Sequence, residues 1–296
     1  MISPIRNHWS QLKPVIQALV SIFCLLWVIY IIRGIDWQAS QAVFVNISYV
    51  HFVACLFVMG GLYASKMCRL IGLVNIVAPG RLTLKEWVGK YLKSIAFGSL
   101  TPARIGDFSR ISMLGSKNIH LTIRSYVVFY DKFQDLLYIP LVMCVTAPIV
   151  NNKLGVPIGL LITLGVFLLL GFIGASYGMG RFLGIKTVFF GWGITIVGLL
   201  LFVAGNSLLF KSIDVDLNVM DIAAVTIIVG IVANLPISLG GIGLREGSFL
   251  FILNRWGVEP SLIPPVLILE FVLNILYPVS LYALWRGYSY FYPIKI

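Results

Sequence analysis

Arg104, Asp107 and Arg110 lie in the stretch Ser99-Leu-Thr-Pro-Ala-Arg-Ile-Gly-Asp-Phe-Ser-Arg110, and Arg245 and Glu246 end a second one, Asn234-Leu-Pro-Ile-Ser-Leu-Gly-Gly-Ile-Gly-Leu-Arg-Glu246. Each stretch has a helix-breaking proline, then glycine, then charge, in strongly apolar surroundings. Charged side chains at membrane depth are expensive, and where they occur they mark pathways and binding sites. Thr101 is a good N-cap and Pro102 suits a first helical position, so a helix is predicted from there through Arg110. Its free N–H groups beside Arg104 would form an anion site. Asp107 is three residues from both arginines and could complete an Arg–Asp–Arg ladder. In the second stretch, Gly240, Gly241 and Gly243 permit backbone shapes that turn successive N–H groups into one concavity, which suits phosphate. Arg245 adds charge there, and Glu246 caps the following helix or pairs with an arginine. The plainer reading of both stretches is a turn with solvated charges and glycines used for packing.

Three further residues join the candidate binding set. Glu270 sits within the apolar run Val266 to Leu276, with Asn274 and Tyr277 at i+4 and i+7 on its face, and Asp135 opens another apolar run beside Gln134. Either acid is a partner for a buried arginine or a hydrogen-bonding group between helices. Lys93 shares a helix face with Lys90 and Phe97, where attraction to lipid head groups is the expected role. No residue is a candidate for catalysis: there is no Gly-x-x-x-x-Gly-Lys-Ser/Thr phosphate loop and no Gly-x-Ser-x-Gly nucleophile turn. Asp214-x-Asp216 resembles the metal-binding pair of membrane glycosyltransferases, a pattern common by chance. His8, His51 and His120 are far apart, and Cys24, Cys55, Cys68 and Cys144 form no Cys-x-x-Cys pair, so neither a metal nor another cofactor is expected.

These residues must be held by elements built for lipid. The chain is 59% hydrophobic and 11% charged, with a mean hydropathy of +0.97, against about a quarter charged in soluble domains. Its formal charge of +11 is carried by Lys and Arg in short segments between apolar runs, the pattern of loops facing anionic lipid and not of a nucleic-acid binder.

Six runs are long enough to span: Val15–Ile32, Phe52–Leu73, Tyr126–Val150, Leu154–Tyr177, Val188–Phe210 and Leu262–Trp285. Lys66 and Arg69, near the end of the second, are expected to snorkel to the interface. Gly155-x-x-x-Gly159 and Gly174-x-x-x-Gly178 suggest close helix packing by the fourth. Two shorter pieces, Ser94 to Ala103 and Ile222 to Ile237 with Ser248 to Leu253, cannot cross as helices and read as re-entrant hairpins. The predicted fold is an all-α polytopic membrane protein, a single domain over residues 1–296, with six full spans and two hairpins. Eight ordinary spans are the alternative. With both termini in the cytoplasm most Lys and Arg fall on the cytoplasmic side. The hairpins then enter from opposite faces, which suggests an inverted repeat with a midplane site.

The two charged stretches also carry a resemblance. Leu100-Thr-Pro-Ala-Arg-Ile-Gly-Asp-Phe-Ser-Arg110 resembles the Pro-x-Arg-x-Gly-acid-x-x-Arg motif of the flippase-like membrane region of lysylphosphatidylglycerol synthases. Leu239-Gly-Gly-Ile-Gly-Leu-Arg-Glu246 is similar to that family's Gly-Gly-x-Gly-x-Arg-Glu motif. Asp131-Lys-Phe-Gln-Asp135 falls where the family often has Glu-Arg-x-x-Asp, and departs from it at Asp131 and Lys132. The resemblance implies the translocating half of those proteins without the soluble aminoacyl-transferase domain. A bacterial or archaeal inner-membrane protein that moves an anionic or polyprenyl-phosphate lipid between leaflets is the leading expectation. An integral-membrane transferase acting on polyprenyl-phosphate-linked sugar or phospholipid, and a non-transporting scaffold that associates with envelope glycosyltransferases, are the alternatives.

Overall fold

The computed structural model describes residues 33, 37–77, 79, 83–114, 120–233 and 243–291. The predicted first span, Val15–Ile32, lies outside the described residues, as do Gly240, Gly241 and the tip of the second hairpin. A short helix that the apolar runs did not reveal, α1 (Trp37–Val45), comes first. Among the described residues, five helices are long and apolar enough to cross a membrane: α2 (Tyr49–Val77), α4 (Leu121–Leu154), α5 (Ile158–Leu183), α6 (Ile185–Ser212) and α9 (Ile263–Phe291). They coincide with the five remaining predicted spans; α2, α4 and α6 overrun theirs at both ends, where hydrogen-bonded helix continues into the polar flanks, while α5 and α9 start and end later than predicted. Helix α2 packs along α6 over much of its length, and α5 packs chiefly on α4.

Between α2 and α4 lies α3 (Leu84–Leu100), 17 residues and so about 25 Å long, shorter than the hydrocarbon core is thick. Thr83 caps it, accepting from the Glu86 N–H while the Glu86 carboxylate accepts from the Thr83 N–H. The chain then reverses at Thr101 into a 3-10 segment, Pro102–Phe108, and a short helical turn, Ser109–Met113. This closes the first hairpin. A Cβ added to Gly106 would stand 2.4 Å from the Phe97 carbonyl carbon, so the two limbs touch backbone to backbone only because this residue is glycine. Gly106→Ala is expected to lower stability by about 1–3 kcal/mol, the usual cost of overpacking, read as a drop in melting temperature in detergent.

The second hairpin has α7 (Val219–Ala233) and α8 (Leu244–Arg255) as its limbs, and these pack on each other. Three full helices, α4, α5 and α6, separate the two hairpins along the chain. The first therefore opens at one end of the bundle and the second at the other. Tyr126 Oη donates to the Met179 carbonyl at the first end. Lys153 pairs with Asp221 at 3.6 Å at the second, where Lys153 also lies over the Trp256 ring.

Two expectations about packing are corrected. Lys66 and Arg69 do not snorkel: Arg69 is 1% exposed, because acids on α4 face it and an internal partner replaces water. Nor do the paired glycine motifs of α5 make its contacts. Added Cβ atoms at Gly155, Gly159, Gly174 and Gly178 would meet nothing within 4 Å. The close approach is at Gly165, against Cys144 of α4, while Gly155 ends α4 at φ 71.

Candidate functional site

Arg69 uses its whole guanidinium fork. Its Nε donates to Asp131 Oδ1 at 2.8 Å, Nη1 donates to Thr195 Oγ1 at 2.8 Å, and Nη2 donates to the Asp131 carbonyl and to Asp135 Oδ1 at 2.8 and 2.9 Å. Arg110 approaches from the first hairpin. Its Nη1 donates to Asp131 Oδ2 at 3.0 Å, its Nε donates to Ser94 Oγ at 2.6 Å, and its guanidinium lies 4.5 Å from the centre of the Tyr91 ring. One carboxylate, Asp131, thus holds a different arginine on each oxygen and fastens α2, α4 and the first hairpin together. Charges this deep are tolerated only when paired and hydrogen-bonded throughout.

A second layer is looser. Lys132 pairs with Asp107, Lys66 pairs with Asp135 at 3.3 Å, and Lys132 lies 3.9 Å from Asp135. The Lys66, Lys132 and Asp135 side chains keep 20–25% of their surface exposed, where those of Arg69 and Asp131 keep 1%. They face a cavity of about 440 Å³, within the range of small-molecule sites. Its lining is mixed: Lys66, Arg104, Asp107, Lys132 and Asp135 are ionic, and Met59, Leu62, Phe202, Ile227 and Leu273 are apolar. Leu136 of α4 and Ile231 of α7 also line it and are 48% and 36% exposed, so the cavity reaches the outer surface between these two helices.

A smaller cavity of about 100 Å³ adjoins it, sharing Arg104, Phe202, Thr226, Gly230 and Asn274. This one adds Arg245, at the start of α8, and Glu270 of α9. Glu270 is 4% exposed, and its Oε2 accepts from Asn274 Nδ2 at 2.6 Å. Asn274 lies in a π turn, Val272–Leu276, a local widening that often accompanies functional sites. Arg104 and Arg245, from hairpins that open at opposite ends of the bundle, thus border one space.

The structure therefore brings Arg104, Asp107, Asp135, Arg245 and Glu270 around the joined cavities. It places Arg110 behind their lining, in the framework. Glu246 serves as a cap, its Oε2 accepting from the Gly243 N–H at 2.6 Å. Gly243, at φ 86, is the N-cap of α8. Lys93 is exposed on the outside of the hairpin, 5.9 Å from the Phe97 ring centre, and Lys90 donates to the Met113 carbonyl across the hairpin.

One local expectation is corrected. The segment after Thr101 is a seven-residue 3-10 helix, not an α-helix, and Arg104 within it adopts φ 54, outside the right-handed helical range. The Thr101 hydroxyl accepts from the Gly106 N–H at 2.7 Å, so it closes the turn instead of capping a helix that presents its N–H groups to an anion. The sequence reading passed over Lys66, Arg69, Asp131 and Lys132 as site residues. A signal was available: two predicted spans carry opposite charges at three- and four-residue spacings, Lys66/Arg69 on one and Asp131/Asp135 on the other. Asp214 and Asp216 are exposed in the loop after α6, and among the described residues no three His, Cys, Asp or Glu side chains gather as a metal set.

An all-helical, multi-pass membrane protein with an ion-lined cavity among its helices is the class this geometry defines. The family model for the lysylphosphatidylglycerol synthase TM region matches residues 15–183, more than half of the chain. The chain belongs to that family. No curated protein matches it.

Proposed function

We propose that this protein moves a phosphate-bearing anionic lipid between the leaflets of a bacterial or archaeal inner membrane, with both of its termini cytoplasmic, and that it is a translocator and not an enzyme. The carrying observation is the pair of adjacent cavities, lined by both ionic and apolar side chains, edged by the exposed Leu136 and Ile231 and bordered by arginines of both hairpins. A lipid needs both kinds of lining. Its phosphate exchanges with Asp107 and Asp135 for Lys132, Lys66 and Arg104, while its glycerol and upper chain segments lie against the apolar side chains. The acids keep the empty site close to neutral, and a phosphate that must displace them is held weakly enough to leave. Arg245 and Glu270 offer the same exchange nearer the second hairpin, which gives the head group a second station in the other direction.

The test is leaflet exchange in proteoliposomes of three fluorescent lipids: phosphatidylglycerol, a polyprenyl phosphate and diacylglycerol. Protein-dependent exchange of either phosphate lipid supports the reading and ranks the two, and Arg245→Ala is expected to slow it about tenfold, the loss of one charge-assisted contact. Exchange no faster than in protein-free vesicles, by protein that is folded, would move the assignment to the transferase or the scaffold for envelope glycosyltransferases.

A further inference from the structure

On the far side of Leu136 and Ile139 from the cavity lies a separate trough of about 260 Å³ between α4 and α5, and those two residues line both spaces. Every other lining side chain is apolar. Phe133 and Phe172 stack with ring centres 4.9 Å apart, and Gly171 and Ala175 leave the open channel beside them. From Phe167 to Ala175 the trough follows about 12 Å of helix rise. We propose that this trough is the seat of one acyl chain of the lipid whose phosphate occupies the cavity; the inference rests on the translocator reading above. The occupant follows from adjacency: Leu136 and Ile139 line both spaces, so a lipid with its phosphate at Lys132 and Arg104 has its chains within reach of the trough. In a bilayer, burying a chain against protein gains little from the hydrophobic effect, so the trough acts through fit and selects chain length and shape.

Gly171 provides a clean perturbation. A Cβ there would meet nothing within 4 Å, so the side chain of Gly171→Leu starts in open space and fills the channel. The experiment uses phosphatidylglycerol carrying a diazirine midway along one acyl chain, with diacylglycerol bearing the same chain as a control that lacks phosphate. Each is photolysed with the protein in phosphatidylcholine vesicles, and labelled residues are mapped by mass spectrometry. Labelling in the Phe133 and Phe167–Ala175 region is expected to be at least about fivefold greater with phosphatidylglycerol than with diacylglycerol, and Gly171→Leu is expected to abolish that difference. Equal labelling by the two lipids, or a difference that survives Gly171→Leu, overturns the trough. Soluble dihexanoyl phosphatidylglycerol, whose chains are too short to fill the trough, separates the two failures. Its binding is unchanged by Gly171→Leu when the head-group site is right, and its failure to bind wild-type protein would refute that site instead.

Discussion

Asp131→Ala is expected to yield little folded protein. The Asp131 carboxylate holds Arg69 on one oxygen and Arg110 on the other, and these three side chains are 1–5% exposed. Truncation leaves two guanidinium groups with too few acceptors in a place water does not reach. Breaking one buried ion pair costs about 3–5 kcal/mol, and this change breaks two, against a total stability of about 5–15 kcal/mol for a typical domain. Asp135, 2.9 Å from Arg69, and Asp107, 3.5 Å from Arg110, retain part of those bonds, but Lys66 and Lys132 already engage them. The measurement is the monodisperse fraction on size exclusion and the melting temperature in detergent, with Arg69→Met plus Arg110→Met on the Asp131→Asn background as the companion. Removing all three charges together should recover much of the loss, since well-packed neutral side chains often replace buried ion clusters without penalty. A single Asp131→Ala variant as stable as wild type would show that the cluster is not the fastening described.

The largest functional effect is expected at Arg104, with the fold preserved. Arg104 has φ 54, a backbone conformation that costs an ordinary L-residue about 1–2 kcal/mol and that glycine adopts freely. Arg104→Gly therefore removes the guanidinium from both cavities while relieving the turn, and the melting temperature should hold or rise. Hydrogen bonds to a charged group are worth about 1.5–3 kcal/mol, so protein-dependent exchange of phosphatidylglycerol should fall roughly 10- to 100-fold. Arg110→Gly is the contrast: that side chain is bound to Asp131 and Ser94 behind the cavity wall, and its loss should lower stability first. Equal exchange by Arg104→Gly and wild type would remove Arg104 from the pathway.

Much of the membrane architecture was legible without coordinates. Five apolar runs became the five described spanning helices, and the two pieces too short to cross became hairpins. Length against hydrocarbon thickness is a constraint each segment meets alone, since every backbone N–H and C=O must be satisfied within its own helix. The hairpins' opposite orientation follows in the same way, from counting the helices between them. The charged motifs around Arg104 and Arg245 also stood out, because an ion in apolar sequence is costly whatever surrounds it.

The division of labour among those charges needed the fold. Arg69 on α2 looked like a snorkelling side chain until α4 brought Asp131 and Asp135 against it, 62 and 66 residues along the chain. Arg110 and Arg104 belong to one motif, yet the first is locked into the framework by Asp131 and the second, at φ 54, faces the cavity. Apolar run lengths and isolated charges are local properties, readable from composition and spacing along a single segment. Which acid neutralises which base depends on distances of about 3 Å between segments far apart in sequence, and only the packing of the helices sets those.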